Sequence, residues 1–79
     1  MDREEIFEKL TEVFRDVFGD ESITINDGTT AADVKGWDSL MHITLISEVE
    51  SSFGIRFRMK DVIGMKNVGE MVDIIEENV

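Results

Sequence analysis

Ser39 is the one residue of this chain whose type and position invite a covalent event. It follows Gly36-Trp37-Asp38 and runs into the helical pattern Leu40-Met41-His42-Ile43-Thr44-Leu45-Ile46-Ser47-Glu48-Val49-Glu50-Ser51-Ser52-Phe53. A helix beginning at Asp38 or Ser39 offers unpaired backbone N–H groups and the positive end of its dipole, which together favour a phosphate. The local alternative is an ordinary cap, since Asp and Ser are both preferred there. A cap and a modification site are compatible.

A serine hydroxyl is a weak nucleophile until a base takes its proton. His42, the only histidine, lies three residues on, and no Asp or Glu is placed by sequence to orient it as that base. A G-x-S-x-G elbow is missing, because Gly36-Trp37-Asp38-Ser39-Leu40 lacks the flanking glycines. There is no cysteine, so any thiol chemistry must arrive on a cofactor. Ser39 therefore reads as a substrate of another enzyme, His42 as a packed or cofactor-adjacent residue, and no residue as catalytic. A calcium loop with its glycine at Gly28 would put Ile23 and Ile25 where oxygen ligands are required, so no metal site is assigned.

The elements that must position Ser39 follow from periodicity. Asp2 and Glu5 have the form of a capping box, and Ile6, Phe7, Leu10, Val13, Phe14, Val17 and Phe18 recur at helical spacing, predicting a helix from about residue 3 to 18 that stops at Gly19. Gly19 to Trp37 is rich in turn formers and reads as a long ordered loop, pinned by Ile23, Ile25 and Val34, with a short helical turn around Thr30 to Val34. In the second helix, ending near Phe53 before Gly54, Ile43, Leu45, Ile46, Val49 and Phe53 fall on one arc with His42 among them, while Met41, Thr44, Ser47, Glu48 and Ser51 form the opposite, solvent-facing or partner-facing arc. Trp37 suits a staple against Met41 or His42, core packing, or a flat wall beside an attached group. Ile55-Arg56-Phe57-Arg58 reads as an extended connector with Ile55 and Phe57 inward, and Met59 to Gly64 as a short third helix with Met59, Val62 and Ile63 apolar. Asn67 and Glu70 start a last helix with a buried stripe of Val68, Met71, Val72, Ile74 and Ile75, running to about Glu77. The expected fold class is all-α: a four-helix bundle with a long first loop and a short third helix, residues 1–79 forming a single domain.

Eight basic against eighteen acidic residues give a net charge of −10, which repels nucleic acid and anionic membranes. No apolar run reaches spanning length, and Met1-Asp2-Arg3-Glu4-Glu5 is too acidic for a signal peptide, so a monomer in the cytoplasm is expected.

Asp38-Ser39-Leu40, the helix after it and the closing Glu50-x-x-Phe53-Gly54-Ile55-x-Phe57 resemble the acyl carrier protein family over essentially the whole chain. The resemblance implies that Ser39 is esterified with 4′-phosphopantetheine from coenzyme A, flanked by Asp38 and Leu40. It implies a phosphopantetheinyl transferase that brings its own base and magnesium ion, and acyl-loading and acyl-transferring partners such as acyltransferases, ketosynthases or acyl ligases. These would dock on Met41, Thr44, Ser47 and Glu48. Carriers of fatty acid synthesis usually keep several carboxylates along that face, whereas here it is apolar or hydroxyl apart from Glu48, and Arg56, Arg58 and Lys60 add a basic cluster before the third helix. Both departures point to a dedicated fatty-acid, polyketide or other specialised pathway. The alternative is an unmodified helical module that binds a partner through the exposed face of the second helix.

Overall fold

The computed structural model describes residues 1–79 as four α-helices: α1 (Arg3–Phe18), α2 (Ser39–Phe53), α3 (Met59–Gly64) and α4 (Val68–Asn78), with a 3-10 turn at Ala31–Asp33 in the long first loop. The boundaries lie where the caps place them. Asp2 accepts from the Glu5 amide and Glu5 returns the bond, while α1 and α2 close on Gly19 (φ 63°) and Gly54 (φ 67°), left-handed positions that glycine takes without a Cβ penalty.

α1 packs against α2 and α4. Ile6, Leu10 and Phe14 from α1, Leu45 and Val49 from α2, and Val68, Met71, Val72 and Ile75 from α4 are fully buried. The loops pin themselves to this core through Ile23, Val34 and Ile55, with Ile25 and Phe57 half-buried against it. α3, too short to be stable alone, depends on such packing through Val62. Ile74, expected in the buried stripe, is only half-buried, at the edge of α4's apolar face.

A backbone junction fixes the long loop to α4. Val68 donates to the Thr29 carbonyl (2.8 Å) and Gly69 to that of Asp27 (2.9 Å). A Cβ at Gly69 would sit 2.7 Å from the Asp27 carbonyl oxygen. Gly69→Ala is therefore expected to destabilise the fold by about 1–2 kcal/mol, overpacking outweighing alanine's better helix propensity, and urea denaturation measures it. An increase in stability would show that the loop can yield.

Candidate functional site

Asp38 is the N-cap of α2: its extended backbone ends the loop, its carboxylate accepts from the Met41 amide (2.8 Å), and its carbonyl accepts from His42 (2.9 Å). Ser39 is the first helical residue, exposed, and its hydroxyl makes no hydrogen bond within the protein. The cap is thus Asp38's task alone. The amides of Ser39 and Leu40 have no backbone partner and are left for an anion.

Trp37 holds the approach to this helix start. Its amide donates to the Val34 carbonyl (3.1 Å), and its ring meets Phe14 edge-on at 5.3 Å and stacks on His42 at 5.8 Å. The indole Nε1–H donates to His42 Nδ1 (3.0 Å). An indole can only donate, so Nδ1 must accept; the neutral ring then carries its proton on Nε2 and donates it to the Val62 carbonyl (3.2 Å). Both ring nitrogens are occupied, and His42 has no lone pair for Ser39. His42 is a strap from the first loop through α2 to α3. Its replacement by Ala would leave an indole N–H and a carbonyl short of a partner, with an expected cost of about 1–2 kcal/mol in thermal or urea denaturation.

Beside Ser39 opens a groove of about 420 Å³, lined by Trp37, His42, Val62 and Ile63 together with Asp38 and Lys66. Half of the lining is apolar, and Asp38, Lys66 and Asn67 supply polar groups, which suits an extended arm of mixed polarity leaving Ser39. Sequence reasoning offered His42 as a packing partner of Trp37; the continuation to Val62 and the place of Lys66 depend on how α3 folds back, which no periodicity encodes.

Of the expected partner face, Thr44, Ser47 and Glu48 are exposed, but Met41 is half-buried. Ile43, expected on the buried arc, is 66% exposed. At 100° per residue Met41 and Ile43 both stand about 90–110° from the centre of the Leu45–Ile46–Val49 arc, on its two borders, and the packing of neighbouring elements decides each. Leu40, one turn before Ile43, is 75% exposed.

Residues 8–75 match the family model described as "Phosphopantetheine attachment site". The chain is 35% identical to an acyl carrier protein of Rubrobacter xylanophilus over 79 residues, covering 99% of this chain and 96% of that protein. It is 31% identical to one from Thermotoga maritima over 75 residues, covering 95% and 93%. Its fold superposes with a TM-score of 0.84 on the solution structure of the holo acyl carrier protein of Geobacter metallireducens, at 38% identity, covering 90% of this chain and 82% of that one. The chain belongs to the phosphopantetheine-binding acyl carrier protein family. It is a carrier and not a catalyst, and its cofactor is 4′-phosphopantetheine.

Proposed function

We propose that Ser39 is the attachment point of 4′-phosphopantetheine, and that the chain presents acyl or aminoacyl cargo to the enzymes of a dedicated fatty-acid, polyketide or other specialised pathway. The observation that carries this reading is the Ser39 hydroxyl, exposed and unpartnered at the start of α2 while Asp38 alone serves the cap. When bound, the group supplies a thiol that holds cargo as a thioester, which a chain without cysteine lacks. The protein's own residues would bind and orient it: the Ser39 and Leu40 amides, without backbone partners, are free to donate to its phosphate, and Trp37, His42 and Val62 line the groove. A phosphopantetheinyl transferase and the acyltransferases, ketosynthases or ligases that follow it approach along Thr44, Ser47 and Glu48. The sparse charge of that side, where Glu48 stands beside the hydroxyls of Thr44 and Ser47, supports a pathway of its own rather than housekeeping lipid synthesis. Family membership favours this reading over an unmodified interaction module.

The test is the intact mass of the protein after incubation with coenzyme A, magnesium and a permissive transferase. The expected result is a gain of one phosphopantetheinyl group, found on the peptide that contains Ser39. No gain with several transferases, or a gain on another residue, would overturn the assignment.

A further inference from the structure

The charge of this molecule is not spread evenly. The segment from Ile55 to Asn67 contains four basic residues and one acidic one, a net +3, so the remaining residues carry −13 of the overall −10. The other cations are mostly engaged: Arg3 by Asp27, Asp73 and Glu76, Arg15 by Glu12, and Lys9 over the Phe53 ring. Arg56, Arg58, Lys60 and Lys66 are exposed and in no ion pair, despite an excess of carboxylates.

Exposed apolar surface falls in the same region. Six large apolar side chains are strongly exposed, and two of them, Met1 and Val79, are chain ends. The other four are Leu40 (75%) and Ile43 (66%), one turn apart on α2, and Met59 (74%) and Ile63 (77%), one turn apart on α3. The bond from His42 to Val62 ties these two helices together, and Ile63 walls the groove beside Ser39. A solvent-facing helix normally turns polar residues outward, and apolar surface rimmed by charge marks a contact site.

We infer that this α2–α3 face docks a protein partner whose complementary surface is apolar with an acidic rim, the opposite of what the net charge of the chain would select. Screening decides between the two. The molecule measures 28 × 25 × 22 Å, whereas the Debye length at physiological salt is about 8 Å. A partner in contact with α3 therefore senses Arg56, Arg58, Lys60 and Lys66 more strongly than carboxylates beyond that length, the local acidic groups being Asp61 on α3 and Asp38, which lines the groove with Ile63 and Lys66. The inference goes beyond attachment at Ser39 and applies to the unmodified chain, so either can fail without the other.

The test uses the isotope-labelled full chain and two synthetic amphipathic helices that share one leucine stripe, one flanked by glutamates and the other by lysines. At physiological salt the glutamate-rimmed helix is expected to shift the amide signals of Leu40, Ile43, Met59 and Ile63. Lys60→Glu with Lys66→Glu should weaken that binding about tenfold, while Ile63→Ser weakens it without altering charge. Three results would overturn the inference: no shift at these four residues with the glutamate-rimmed helix, tighter binding of the lysine-rimmed helix at the same four, or shifts at them with protein concentration alone. The last would assign the face to a second copy of the chain.

Discussion

Ser39→Ala is expected to abolish phosphopantetheine attachment completely while leaving thermal stability within about 0.5 kcal/mol of the parent. The two halves of this expectation have separate causes. Attachment needs an oxygen nucleophile, and alanine has none. Stability is indifferent because the Ser39 hydroxyl bonds to nothing in the protein, lies in solvent, and precedes a helix already capped by Asp38; exposed substitutions away from packing and caps usually stay within about 0.5 kcal/mol. Asp38→Ala is the contrasting control. It removes the acceptor for the Met41 amide and should cost about 1 kcal/mol, yet it leaves the hydroxyl in place. Intact mass and a denaturation curve on the two variants separate the roles. A Ser39→Ala protein that still gains mass would move the attachment elsewhere. One that loses more than about 1 kcal/mol would show that the hydroxyl supports the helix after all.

That division of labour was only half legible in the sequence. Asp38-Ser39 announces a helix start, and both residues are good caps, so the chain order alone leaves the cap on either. The bond to Met41 assigns it. Elements with strong local signals were readable in full: Gly19 and Gly54 stop their helices where expected, and the Asp2–Glu5 box starts α1. Features that depend on distant partners were not. Ile43 has the composition of a core residue but sits on a border that no neighbour covers. Thr29, a turn former by type, is buried, because its hydroxyl accepts from the Asn26 amide and its carbonyl receives Val68 from α4. Arg3 looks like one more surface charge, yet it gathers Asp27 from the loop and Asp73 and Glu76 from α4. Its hydrogen bonds, first with Asp27 and then with Asp73, raise the pKa of the guanidinium above its ordinary value. Partners some 24 and 70 residues away leave no trace in local spacing.

Phe14→Ala should have the largest effect on stability of any single truncation, and its consequences reach the site. Phe14 heads the fully buried side chains, and its ring meets Trp37 edge-on at 5.3 Å and Phe18 at 5.9 Å. Truncating a buried phenylalanine costs about 3–5 kcal/mol, transfer and cavity together. A domain of this length has a total of about 4–12 kcal/mol to lose. The thermal midpoint should fall by on the order of 15–30 °C, and at the lower end of that stability range a large share of molecules would be unfolded at 25 °C. Trp37 gives the readout, being the only tryptophan and resting on Phe14. With its support gone, the indole should be less well held against His42, and His42 in turn holds α3 through the Val62 carbonyl. Native-state fluorescence of Phe14→Ala is thus expected to shift to the red even before unfolding. Phe14→Leu, which keeps most of the volume, should cost about 1.5 kcal/mol or less and keep the emission close to the parent's. A loss below about 1 kcal/mol for the alanine variant would mean that the bundle collapses around the gap. Unchanged emission together with the full loss would mean that Trp37 is fixed by its bonds to Val34 and His42 rather than by the core beneath it.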